Sequence, residues 1–308
     1  MKTITHPRSS ASIHSLIPVL ALALVSATFA ADAPAVPPTG PITAGLRVFT
    51  CGHSFHASVV PNLIAEIAKS AEIKDHVVAG VSMIGGSRAN QHFAVPDEKN
   101  KAKALLKEGK IDVLTLSCMS TPDDGIGSFA KLAVEHNPNV RVTLQELWLP
   151  DDHWPFDPAH RIHKSPEDFN STTMDELKKQ NEAYCKAMED TVKAVNASVG
   201  KVAVFLVPDV LATLALREKI IAGTAPGLQK QSDLFGDGWG HPKAPLALLS
   251  AYCHYSVIYR RSPVGLPIPP SSAKAGIKDE ALNKLLQELA WGAVSHYPMS
   301  GVKDEGKK

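Results

Sequence analysis

Cysteine is scarce in these 308 residues, aromatic side chains make up only 6%, and neither sign of charge prevails, with 32 Lys and Arg against 31 Asp and Glu. The near balance argues against a nucleic-acid partner, because polyanions are held by clustered Lys and Arg facing phosphates. No uninterrupted apolar run reaches the ~20 residues that a bilayer-spanning helix needs. The four cysteines, Cys51, Cys118, Cys185 and Cys253, show no Cys-x-x-Cys spacing, and no two histidines stand four apart, so the usual zinc signatures are missing. Internal repeats and low-complexity blocks are also absent.

What is present begins with a targeting layout. Residues 1–30 carry Lys2 and Arg8, no acid, an apolar run from Leu16 to Val25, and small residues ending at Ala30. This is the pattern of a secretory signal peptide cleaved after Ala30 or Ala33, and it implies a secreted or periplasmic protein with no membrane span after cleavage. Cleavage after Ala30 removes two positive charges, taking Lys and Arg from 32 to 30 against 31 acids, a formal charge of −1. Residues 31–45, with Pro34, Pro37, Pro38 and Pro41, read as a flexible lead-in that forms neither helix nor central strand. A single domain is expected over 46–298, followed by a polar tail at 299–308. In an exported chain four cysteines allow three complete pairings. Cys51 and Cys118 close strands expected to be neighbours, so a bridge between them and buried free thiols are both open readings.

Apolar runs alternate with amphipathic stretches, the signature of strand, crossover helix and parallel strand. Strands are expected at 46–50, 76–83, 111–117, 140–145 and 202–207. Helices are expected at 59–71, 99–107, 128–136, 173–199, 210–222, 244–259 and 280–293. A long irregular segment, 147–172, is rich in Pro, Asp, His and Trp, and loops of that length in a compact domain are usually functional or mobile. The expected fold is therefore α/β: a three-layer α/β/α sandwich around a five-stranded parallel sheet, with all strand C-termini on one edge.

Ser54 stands at that edge, in Val48-Phe49-Thr50-Cys51-Gly52-His53-Ser54. A serine hydroxyl becomes a nucleophile when a base takes its proton, and histidine is the usual base because its pKa lies near neutrality. His241, in Asp237-Gly238-Trp239-Gly240-His241-Pro242, fits that role, with Asp237 four residues earlier as the carboxylate that fixes its tautomer. Oxyanion donors are expected from the amides of Ser54 and of Gly85 or Gly86, where glycine lets the backbone approach a ligand.

With these blocks in this order, the chain over about 46–266 resembles the SGNH (GDSL-like) hydrolases. Gly52-His53-Ser54-Phe55 is similar to their nucleophile block, Gly85-Gly86 to their glycine block, and Asp237 to His241 before a helix to their last block. The closing Tyr259-Arg260-Arg261-Ser262-Pro263-Val264-Gly265 is similar to secreted bacterial members. The resemblance implies a flavodoxin-like fold, a serine esterase acting without a cofactor, and a small-molecule or carbohydrate ester as substrate. Two departures stand out. The family's oxyanion asparagine has no counterpart in Leu116-Ser117-Cys118-Met119-Ser120, leaving Ser117, Ser120, Asn90 or a backbone amide as substitutes. The last block holds one residue more than Asp-x-x-His, so Asp233, Glu146 or Asp151 competes with Asp237 for His241.

His53, His56, Trp148, Trp154 and Trp239 are candidate cleft residues, the tryptophans as walls for an acyl chain or a sugar ring. A catalytically impaired glycan-binding protein on the same fold is the alternative reading, favoured by the missing asparagine. A metal-dependent hydrolase using His53 and His56 with Asp151, Asp152, His153, His160 and His163 is the third. No metal site is assigned, because the loop residues also read as the polar rim of a wet cleft.

Overall fold

Five short strands lie in parallel in the order β2-β1-β3-β4-β5: β1 Arg47–Gly52, β2 Val77–Met83, β3 Val113–Ser117, β4 Arg141–Gln145 and β5 Val204–Val207. The structure, a computed structural model, describes residues 40–303. The expected signal peptide, most of the lead-in and the last five residues lie outside them. Each strand falls within two residues of its expected place. All five residues of β3 are buried, as its apolar run requires of a central parallel strand.

The helices are α1 Val60–Ser70, α2 Ala89–Phe93, α3 Lys101–Lys107, α4 Asp124–His136, α5 Met174–Val199, α6 Asp209–Ile221, α7 Ala244–Tyr259, α8 Pro270–Lys274 and α9 Glu280–Ser295. Helices α1, α7 and α9 pack together on one side, α3, α4 and α5 on the other, and α6 touches both α5 and α7. Helix α7 is apolar around its whole circumference and thirteen of its residues are buried, so it is a core helix rather than a surface one. Arg141, at the start of β4, donates to the carbonyls of Val257 and Ile258 and so satisfies the end of α7. Helix α5 starts with the expected capping box, Thr173 with Glu176, and ends at Gly200 in the left-handed conformation. Helices α2 and α8 were not expected, since five residues are too few to display a period.

Two expectations change. Ser300 and Val302 are buried, so the polar tail does not begin at 299: the chain packs inward through Val302, where Gly301 lies against Phe205. All four cysteines are free, and the Cys51–Cys118 bridge does not form. Both thiols are buried, and burial raises their pKa, because the thiolate would lose its hydration.

The strand order reverses between β1 and β3, and open α/β sheets bind ligands in the crevice at that point. β1 ends there in Gly52. A Cβ at position 52 would run into the His56 imidazole on one side and the Ser117 hydroxyl on the other. Gly52→Ala is therefore expected to lower stability by about 2 kcal/mol, the order typical of overpacking a filled core, read as a fall in unfolding midpoint.

Candidate active site

Past Gly52 the chain turns sharply, with the His53 carbonyl accepting from the amides of His56 and Ala57, and this turn lifts Ser54 out of the sheet edge. Its Oγ lies 2.9 Å from His241 Nε2. His241 Nδ1 lies 2.7 Å from Asp237 Oδ2, so the imidazole donates to the carboxylate from Nδ1 and presents the Nε2 lone pair to the serine hydroxyl. The other carboxylate oxygen of Asp237 accepts from the amides of Trp239, Gly240 and His241, at 2.9, 3.1 and 3.2 Å. Burial pushes the Asp237 carboxyl up, but the His241 bond and these amides outweigh it and hold it below the ordinary carboxylate range.

The additional residue of the last block is absorbed by Gly240, whose φ of +92° only glycine adopts readily. The Gly240 carbonyl accepts from Trp148 Nε1 at 2.9 Å, and Trp148 stacks on Phe55 with centroids 5.3 Å apart. Phe55 in turn meets the His241 ring edge-on at 4.8 Å. The nucleophile turn and the histidine loop are thus held to each other by an indole and a phenyl ring.

The competing acids lie elsewhere. Asp233 accepts from the amides of Gln229 and Lys230. Asp151 accepts from the amides of Ile162 and His163. Glu146 is buried and accepts from Tyr297, and burial drives its carboxyl well above the usual range.

Ser54 and His241 open onto a cleft of about 600 Å³. Its apolar wall is Phe55, Met119, Pro150, Phe156, Pro158 and Trp239, and its polar lining adds Gly85, Gly86, Arg88, Gln91 and Ser120. Among the described residues the amides of Ser54, Gly85 and Gly86 donate to no protein acceptor. Neither glycine has anything within reach of an added Cβ, so an incoming oxygen can approach both. Of the substitutes for the asparagine, only Ser120 faces the cleft. Ser117 is buried and accepts from the His53 amide, and Asn90 lines a neighbouring groove.

Four of the five candidate cleft residues sit elsewhere. His53 is buried beneath the turn, its Nδ1 accepting from the Phe55 amide, and burial lowers its pKa to about 3. His56 is buried against Thr115 Oγ1 at 2.9 Å. Trp148 is the brace already described, and Trp154 packs on Tyr184. Only Trp239 reaches the cleft, with the Arg161 guanidinium 3.9 Å over its ring. His53 and His56 are three apart in a helical turn, so both fall on its buried side. Arg88 and Gln91, at the start of and within the five-residue α2, and Phe156 and Pro158, in the long irregular segment, were missed because neither stretch shows a period that reveals direction.

The residues of the third reading are also engaged. Asp152 takes the Arg217 guanidinium through both oxygens, at 2.5 and 2.8 Å, and lies 3.4 Å from His163. Arg217 also donates to the Phe169 carbonyl and to Gln231, and so anchors the 147–172 segment to α6. Among the described residues no three His, Cys, Asp or Glu side chains converge in a metal-binding group.

A Bacteroides uniformis protein of the DUF4886 family superposes with a TM-score of 0.53 at 15% identity, over 82% of this chain and 95% of that one. The two chains share the parallel α/β fold. A candidate SGNH hydrolase from Slackia heliotrinireducens matches at 16% identity over 69% of this chain and 98% of that one, with a TM-score of 0.40. Phospholipase A1 from Streptomyces albidoflavus matches at 10% identity over 70% of this chain and 99% of that one, with a TM-score of 0.39. No protein-family model matches the chain, and no curated protein matches it in sequence. In this fold Ser54 follows β1, the glycine pair follows β2, and Asp237 and His241 precede α7.

The buried His53 couples the nucleophile turn to pH. Its native pKa lies below the ordinary histidine value of ~6.5, so the unfolded chain takes up a proton that the folded chain refuses, and stability falls as pH drops from about 6.5 towards 3. Between pH 7 and pH 5 this one ring accounts for about 2 kcal/mol. The loss of unfolding free energy over that interval, measured with denaturant at both pH values, is expected to be smaller by that amount in His53→Gln.

Proposed function

We propose that the protein is an exported serine esterase that hydrolyses a carboxylic ester, an acetyl or similarly short acyl group on a carbohydrate alcohol being the expected substrate. The observation that carries this reading is the aligned set Ser54 Oγ, His241 Nε2 and Asp237 Oδ2, at 2.9 and 2.7 Å, at the mouth of a cleft. Export rests on the layout of residues 1–30.

Ser54 Oγ attacks the acyl carbon while His241 Nε2 takes the hydroxyl proton, and the Asp237 carboxylate stabilises the imidazolium that forms. The amides of Ser54 and of Gly85 or Gly86 receive the negative charge that develops on the carbonyl oxygen. His241 then returns the proton to the departing alkoxide, which leaves as the alcohol. A water molecule, deprotonated by the same Nε2, attacks the acyl-serine and releases the carboxylic acid with Ser54 regenerated. The open glycines and the Ser120 hydroxyl line the same cleft as Ser54, which supports their role as donors in the absence of an asparagine.

Trp239 is the one candidate tryptophan at the cleft, exposed enough to meet a sugar ring. A glycan-binding protein without catalysis would keep this wall as well, and the absent asparagine favours it. Activation of the nucleophile separates the two readings.

A fluorophosphonate probe is expected to label Ser54, and Ser54→Ala to abolish both labelling and release of 4-nitrophenol from its acetate. Absence of labelling and of turnover in the native protein would leave the binding reading standing. Asp237→Asn, which reverses the tautomer of His241, is expected to lower kcat on the order of a thousandfold with little change in KM.

A further inference from the structure

Arg161 stacks on Trp239 at the edge of the cleft. Among the residues lining the cleft only Arg88 carries a permanent charge, and no carboxylate forms an ion pair with it. Arg88 is half-buried at the start of α2. One terminal nitrogen, Nη2, donates to the Pro122 carbonyl in the loop after β3, so the side chain links the segment after the glycine loop of β2 to the loop after β3, across the end of β1. Its Nε is buried without a partner. Asp123 interacts with Arg88 through space, but its carboxylate accepts from the amides of Ala89, Asn90 and Gly125 at 2.5, 3.0 and 3.0 Å and takes no hydrogen bond from the guanidinium.

The Arg88 guanidinium lies beside Met119, Phe156 and Trp239, and only its Nη2 has a protein acceptor, so donors remain for an oxyanion. Its planar fork suits carboxylate, phosphate and sulfate oxygens, and such charge-assisted bonds are roughly twice as strong as neutral ones. Because the Pro122 bond fixes the side chain beforehand, little rotamer entropy is lost when an anion arrives.

We propose that Arg88 selects an anionic ester: the substrate carries a carboxylate or similar oxyanion, in its acyl or its alcohol half, which docks on this guanidinium while the ester bond lies at Ser54. The proposal rests on the esterase reading and deepens it by naming the charge of the substrate. The neutral part of the molecule lies against Phe156 and Trp239.

Two matched pairs test it on the whole protein: 3-acetoxybenzoate against 3-acetoxybenzamide, and the mono-4-nitrophenyl ester of adipic acid against 4-nitrophenyl hexanoate. In at least one pair kcat/KM is expected to favour the anion by about tenfold, with most of that ratio lost in Arg88→Gln and partly restored in Arg88→Lys. No preference for the anion in either pair overturns the proposal. So does an Arg88→Gln protein that slows both members equally, since an arginine serving the fold or the oxyanion does not read substrate charge. If none of the four esters turns over and Ser54 resists the fluorophosphonate, it is the esterase reading that fails. Anion selection is then decided by calorimetric titration of Ser54→Ala with 3-acetoxybenzoate and 3-acetoxybenzamide. Tighter binding of the benzoate, lost in Ser54→Ala/Arg88→Gln, supports selection, and equal binding overturns it.

Discussion

Residue 52 has no side chain, and the cleft depends on that. The His56 imidazole and the Ser117 hydroxyl occupy the two flanks of the Gly52 Cα, so β1 can end tight against β3 and turn at once into the segment that carries Ser54. His56 is held from below by Thr115, and Ser117 accepts the His53 amide, so the turn is stitched to the central strand by side chains that never meet solvent. Ser54 thereby stands on a rigid element, which is what a site accurate to tenths of an ångström requires.

The second half of the site is attached by packing. The histidine loop reaches Ser54 because Trp148 donates to Gly240 and stacks on Phe55, while Asp237 gathers three consecutive amides and the imidazole around one carboxylate. Asp237 is therefore both the loop's organiser and the partner of His241. The 147–172 segment closes over this from the side. Its position is fixed far from the chemistry by the buried Asp152–Arg217 pair, in which both carboxylate oxygens meet the guanidinium and the remaining donors find Gln231 and the Phe169 carbonyl. A buried ion pair so fully satisfied costs little, whereas removing one partner would strand a charge.

Much of this was legible in the chain. Alternation of apolar and amphipathic runs revealed five strands and seven of the helices because each of those elements is long enough to show its period. Helices α2 and α8 are too short to do so. Ser54, Gly85, Gly86, Asp237 and His241 were legible as an ordered set of blocks, each beside the end of a strand or the start of a helix. Direction was not legible. His53 and His56 flank the serine yet point into the core, and Trp148 and Trp154 lie in the long loop yet pack inward, because the course of an irregular backbone follows from its long-range contacts.

The sequence by itself determined the parallel α/β plan and the order of the blocks, since both follow from local spacing of side chains along the backbone. The tertiary structure alone decided which acid reaches His241, that Gly240 absorbs the additional residue, and that Arg88 rather than His53 or His56 faces the cleft. The loop that carries His241 is held by Trp148 and meets Ser54, 187 residues away in the chain, and only packing sets that meeting.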